Sequence, residues 1–160
     1  MKALLVAALL TGQLALNACQ PQNEAVLPSE TVTSLNKATV SDWTAVDADI
    51  WAASAKTPKA RVAGFIDNAI TSAVVEEGLV VAFHRDPATG NVRTLPATIG
   101  DQSLSFTYYA TNNKGIVSLQ QEAPEPVAGE YRWVVVPKEV AATVNWNDYS
   151  AVKQALKLEE

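Results

Sequence analysis

Across residues 103–110 every second residue is apolar: Leu104, Phe106, Tyr108 and Ala110 alternate with Ser103, Ser105, Thr107 and Tyr109. A period of two marks a strand with one buried face, so the first set points inward and Tyr109 points toward solvent. Thr111-Asn112-Asn113-Lys114-Gly115 supplies turn chemistry, because Asn and Gly tolerate positive φ, and 116–120 returns as the antiparallel partner. Residues 79–83 and 131–136 lack this alternation and read as apolar runs, the second holding Trp133 and three consecutive valines. Such runs suit central strands covered on both faces. Asp86-Pro87-Ala88-Thr89-Gly90-Asn91 is a strong turn leading into a strand over 92–96. Segments 40–43, 50–53 and 61–66 complete a set of about seven or eight strands.

Many short strands with closely spaced turns predict an all-β fold, a single antiparallel β-sandwich. Helical patterns do not alternate with the strands, which disfavours a parallel α/β sheet. Two short helices are expected. Thr71 caps a brief turn through Ala73 to Glu76, stopped by Gly78. Asn147 or Asp148 caps a C-terminal helix in which Tyr149, Val152, Ala155 and Leu156 share one face, with Lys153 and Lys157 suited to its later half. That helix is expected to pack on the sandwich.

The first residues follow a different logic. Lys2 gives a positive start, Ala3 to Leu10 is uninterrupted apolar chain, and Leu14 to Leu16 lead to small residues before Cys19. These are the ingredients of a secretory signal peptide over 1–18. The stretch is too short to span hydrocarbon, which takes about 20 apolar residues. Leu16-Asn17-Ala18-Cys19 resembles the lipobox of bacterial lipoproteins. That resemblance implies diacylglyceryl attachment to the Cys19 thiol, cleavage before it and acylation of the new amine. A secretory signal with an incidental cysteine is the competing reading. Against it, Cys19 is the single cysteine, so no internal disulfide accounts for it. Several acyl chains together provide stable anchoring. Gln20, by resemblance to Gram-negative lipoproteins, implies sorting to the outer membrane, with the exposed face left open.

Residues 19–37 are polar, carry two prolines and show no periodicity, so they read as a flexible tether behind a lipidated Cys19. The folded domain is then 38–160. Cleavage after residue 18 leaves 11 Lys+Arg against 17 Asp+Glu, a side-chain charge of −6. An acidic surface disfavours nucleic acid, which needs a positive footprint.

Several pieces together resemble a family of small, largely uncharacterised β-rich lipoproteins of Bacteroidota-type bacteria. They are Trp43, Ile70-Thr71 with Val74, Gly78-Leu79-Val80-Val81-Ala82-Phe83, Leu95-Pro96, 103–108 and Gly115-Ile116-Val117. Arg132-Trp133-Val134-Val135-Val136-Pro137 and Trp146-Asn147-Asp148-Tyr149 with Val152 complete the set, which spans roughly Val40 to Leu158. The resemblance implies one β-sandwich domain and brings no known activity, cofactor or catalytic set.

Candidate chemistry is thin. His84-Arg85-Asp86 spells the core of a kinase catalytic loop, but no glycine-rich loop, strand lysine or magnesium-binding set accompanies it. His84 reads as a half-exposed strand-end residue. One histidine and a cysteine committed to lipid leave a zinc site without ligands. No nucleophile elbow supports a triad. Glu76, Glu77, Glu122, Glu125 and Glu130 fall near turns, where a solvated charge is the simpler reading than a glycosidase-type pair. Asp47-Ala48-Asp49 offers two carboxylates, far short of a calcium shell. Sugar-binding sandwiches use exposed rings as platforms, and Tyr109 and Trp51 are the candidate ligand contacts. Trp133 belongs in the core.

Three functional classes follow from this reading. The first is a non-catalytic module, held on the lipid bilayer by acylated Cys19, that binds an envelope protein or polysaccharide. The second is a structural accessory of an envelope complex. The third is a carboxylate-dependent hydrolase.

Overall fold

A computed structural model describes residues 37–112 and 114–159. The expected signal peptide, Cys19 and all of the tether but Lys37 lie outside the described residues. Among the described residues, ten strands pair into two antiparallel sheets. The first sheet has the order β1 (Thr39–Val40), β10 (Gly129–Val136), β5 (Leu79–Arg85), β6 (Val92–Thr94), with β2 (Thr44–Val46) also paired to β10. The second runs β3 (Ala52–Ala53), β4 (Ala60–Ile66), β9 (Lys114–Glu122), β8 (Gln102–Thr111), β7 (Ala97–Ile99). The extra strands are short. Of the segment read as 40–43 only Val40 lies in a strand, β1, and β2 follows it from Thr44; Ala97–Ile99 pairs after Pro96, where three residues are too few to show a period.

The alternation along β8 is realised. Leu104 is fully buried, Phe106 and Tyr108 pack against the inter-sheet core, and Ser103, Thr107 and Tyr109 are exposed. The β8–β9 turn closes with Thr111 opposite Lys114, and Asn112 takes the left-handed conformation at φ 49°. Gly115 follows because the chain after β4 crosses it closely. A Cβ there would collide with the Asp67 and Ile70 carbonyl oxygens and with the Ile70 side chain.

Between the sheets lies one core that includes Val46, Val80, Ala82, Leu104, Leu119 and Trp133. The Trp133 ring packs against Phe65 of β4 at 5.6 Å, and its Nε1–H donates to Asp67 Oδ2 at 2.7 Å. Gln121 is a buried polar residue on the inward face of β9. Its amide donates to the Val127 carbonyl at 3.2 Å and accepts from the Val127 N–H at 3.1 Å, which pins the loop between β9 and β10.

A second apolar cluster covers the outer face of the first sheet, and it makes β5 and β10 apolar on both faces. Val81, Phe83, Val134 and Val136 meet Val140, Trp146 and Val152 from the C-terminal segment. Among the described residues two α-helices complete the fold. The first, α1 (Ser72–Glu77), has Thr71 accepting from the Val74 N–H at its start. The second, α2 (Tyr149–Leu156), is capped by Asp148, whose carboxylate accepts from the Ser150 N–H at 2.9 Å, and Val152 on its inner face is fully buried. The expected packing of this helix on the sandwich is observed. Its burial against sheet one, not its eight residues alone, stabilises it.

Two glycines of the second sheet test this packing. Gly115→Ala is expected to lower the unfolding free energy by about 1–3 kcal/mol through overpacking. Gly64→Ala, with nothing within 4 Å of the added methyl, is expected to leave stability unchanged or raise it by about 0.5 kcal/mol. Urea melts of both variants decide the matter, and equal effects contradict the close approach at Gly115.

Candidate functional site

The C-terminal cap covers only part of the outer face of the first sheet. Beyond it, the register places Arg85 opposite Glu130 and Phe83 opposite Arg132. Strand alternation puts all four side chains on that outer face. Arg85 Nε donates to Glu130 Oε2 at 2.6 Å. That hydrogen bond holds the Glu130 carboxyl below its ordinary pKa; partial desolvation opposes the shift and the Arg85 charge adds to it.

Trp43 sits where the chain leaves β10 between β1 and β2. Its ring centroid lies 4.4 Å from the Arg85 guanidinium carbon and 4.8 Å from that of Arg132. Tyr149 opens α2 with its ring 4.9 Å from Phe83 and 5.8 Å from Trp43, and its hydroxyl accepts from Arg132 Nη1 at 3.1 Å. These residues form a contiguous cationic–aromatic cluster. Two guanidiniums and the Glu130 carboxylate belong to it. Arg132 is only 9% exposed, and its buried Nε has no protein acceptor. Each guanidinium–indole contact is worth about 0.5–2 kcal/mol, more as water is excluded.

The sequence reading missed this cluster. The pattern of 131–136 reads as apolar, yet Arg132 lies within it and is buried. Glu130, assigned to a solvated turn, is half-buried in an ion pair. The missed signal is an arginine inside a strand whose neighbours are otherwise apolar, because a charge covered on both sides needs specific partners.

The two candidate ligand contacts are not brought together. Trp51 is 5% exposed and lies between the sheets, its ring edge-on to Tyr131 at 5.9 Å. Burial removes it as a surface platform; its small polar neighbours made it look exposed, while its own area drove it inward. Tyr109 is 45% exposed on the outer face of the second sheet. It lies opposite Ile116 of β9, which lies opposite Ile66 of β4. The three form a row across three strands, with Ile116 half-buried and Ile66 63% exposed. Cys19 is outside the described residues.

His84 is also corrected, from half-exposed to 5% exposed, because β5 continues to Arg85 and keeps it between the sheets. Its ring lies 5.2 Å from that of Tyr131, and Gly129 makes room for it: a Cβ there would stand 2.7 Å from His84 Nε2. Burial lowers the His84 pKa, with the Asp86 carboxylate opposing and Arg93 reinforcing the shift. Burial likewise pushes the Tyr131 phenol upward. His84 Nδ1, Tyr131 Oη and Trp51 Nε1 are buried without a protein hydrogen-bond partner.

Most of the remaining carboxylates face solvent. Glu76, Glu77, Glu122, Glu125, Asp47 and Asp49 are exposed, and Glu77 pairs with Lys138 at 3.1 Å. Asp101 and Glu122 border an open depression of about 680 Å³ at one end of the second sheet, together with Lys59, Arg61 and Pro124. Among the described residues no group of three or more His, Cys, Asp or Glu side chains is placed to hold a metal ion. No helix among them is long and apolar enough to cross a membrane. No protein-family model, curated protein or solved structure matches the chain.

His84 sets a pH dependence. Its folded pKa lies below the ordinary 6.5, so the unfolded chain takes up the proton first as pH falls. Stability is fully present above pH 6.5 and declines from there toward the lower folded pKa. Glu130 and Asp86, also lowered, act only below about pH 4.5. Urea melts from pH 7.5 down to 5 are therefore expected to show a falling stability that His84→Gln flattens. An unchanged slope in that variant assigns the dependence elsewhere.

Proposed function

We propose that this chain is a non-catalytic interaction module, anchored at the outer membrane through acylated Cys19, whose β-sandwich docks an envelope protein. The anchor half of the reading rests on the apolar segment before Leu16-Asn17-Ala18-Cys19 and on the single cysteine. The wider resemblance to small Bacteroidota-type lipoproteins agrees with it.

The binding half rests on one observation: the solvent-facing row Tyr109–Ile116–Ile66. Outward positions of a sandwich strand are ordinarily polar, and Thr107 and Ser118 in the next row obey that rule. Exposed apolar residues in register are the usual mark of a contact surface. Saccharides stack on aromatic rings and need hydrogen-bonding groups beside them. Here a single ring stands at the end of a row continued by two aliphatic side chains, which favours a protein over a polysaccharide. An acidic mature chain of side-chain charge −6 fits a partner surface that is apolar at its centre and basic at its rim.

Mass spectrometry of the mature protein is expected to find an acylated Cys19 at the N-terminus, and Cys19→Ser is expected to move the protein to the soluble fraction. An unmodified terminus elsewhere rejects the anchor. Co-purification from solubilised envelopes with wild-type protein and with the double variant Tyr109→Ala, Ile66→Ser tests the surface. Loss of the partner by about tenfold or more, at an unchanged urea midpoint, is the expected result. A partner retained by the double variant makes the chain a structural accessory held through another face. Binding on a glycan array that Tyr109→Ala abolishes, with no protein partner, assigns the row to a polysaccharide instead.

A further inference from the structure

We propose that the cationic–aromatic cluster on the outer face of the first sheet is a binding site for an oxyanion, a phosphate or carboxylate group, received by Arg132. The surface is separate from the Tyr109 row, and the inference stands without the interaction-module reading.

The argument begins with charge. Arg85 and Arg132 project from adjacent strands onto one indole, at 4.4 and 4.8 Å from its centroid. Within the cluster, Glu130 pairs with Arg85. No carboxylate among the described residues pairs with Arg132. The cluster thus holds, in Arg132, a guanidinium without a carboxylate partner among the described residues, in a chain that is acidic overall. Burying a guanidinium this deeply without a counter-ion is costly, and neighbouring like charge raises the cost. The quadrupole of Trp43 and the Tyr149 hydroxyl offset part of it, but neither carries a charge.

Geometry then identifies what is missing. A guanidinium presents two edges, each able to grip an oxyanion with two parallel hydrogen bonds. Arg132 spends Nη1 on the Tyr149 hydroxyl at 3.1 Å. Its Nε–H, on the opposite edge, is buried and meets no protein acceptor. Trp43 and Tyr149 hold this guanidinium, one at its face and one at Nη1. A planar donor edge left unsatisfied in a low-dielectric setting attracts phosphate or carboxylate oxygens, which reach it as the side chains that cover it give way. Simple burial of an arginine stem does not require that edge to be left without an acceptor.

The test uses the full chain carrying Cys19→Ser, so that lipid attachment does not dominate the readout. Inorganic phosphate and acetate are titrated while the Nε–H resonance of Arg132 is followed by NMR. Saturable movement of that resonance with one-to-one stoichiometry is expected for at least one of the two anions. Isothermal titration should show the affinity falling about tenfold or more in Arg132→Gln, the loss of a charge-assisted pair, and unchanged in Lys114→Gln at the far sheet. If Arg132→Gln does not fold, Arg132→Lys keeps the charge and stem but loses the second donor of that edge, and the same fall is expected. No saturable shift at tens of millimolar of either anion overturns the proposal, as does equal affinity in the Arg132 variants. A parallel arm with phosphatidylglycerol and phosphatidylcholine vesicles separates the sources. Phosphate binding together with vesicle binding, both lost in the Arg132 variants, identifies a lipid headgroup as the ligand. Phosphate or acetate binding alone identifies a free or saccharide-borne anion. Vesicle binding without either small anion overturns the site.

Discussion

Trp133 fastens the two sheets to each other. Its backbone N–H donates to Ser41 Oγ and its carbonyl accepts from the Ser41 N–H, both at 3.0 Å, which holds the edge of the first sheet. Its ring crosses the core to Phe65, and its indole N–H ends on the Asp67 carboxylate beyond β4. A hydrogen bond to an ionised carboxylate is worth about 1.5–3 kcal/mol, and it fixes direction as well as energy. Asp67 in turn receives the Ala69 N–H, and its own N–H donates to the Gly115 carbonyl at 3.0 Å. One indole therefore links the centre of β10, the end of β4, the approach to α1 and the start of β9. Sheets packed by apolar contact alone can slide; this polar connection sets the alignment in which Leu104 and Leu119 meet the valines of the opposite sheet.

With the sheets aligned, the third layer decides which residues look apolar. The C-terminal segment buries the outer face of β5 and β10 near Val134 and Val136 but leaves their other ends uncovered by Val140, Trp146 and Val152. At those ends the same strands carry Arg85, Glu130 and Arg132. The polarity change along each strand thus marks the edge of the cap. Trp43 and Tyr149 bridge that edge, since each touches both the apolar cluster and a guanidinium.

Period and turn chemistry made most of the architecture legible. The alternation of 103–110, the apolar run from Leu79, the Thr71 and Asp148 caps and the burial of Val152 all follow from local pattern. The three-residue strands β2 and β7 escape because they hold less than two full periods and are defined by their partners. Surface chemistry was less legible. Tyr109 was placed correctly because its strand alternates, whereas Trp51 precedes a two-residue strand and nothing local announces its facing. Arg132 was hidden by the valines around it. Its neighbours in space, Trp43 and Tyr149, lie 89 and 17 positions away, so no window of sequence contains the cluster.

The Gln121 amide has a consequence for how this chain tolerates change. By accepting from the Val127 N–H and donating to its carbonyl, the side chain imitates one rung of a β-ladder from inside the core. The crossing from one sheet to the other is therefore secured through the main chain of the loop, whose own side chains at Glu125 and Val127 remain outside. Identity along this loop is free to drift so long as its backbone path is kept. The glutamine is not, because no other uncharged side chain combines that reach with a donor and an acceptor at its tip. Divergence should accumulate on the loop and stop at the residue that holds it.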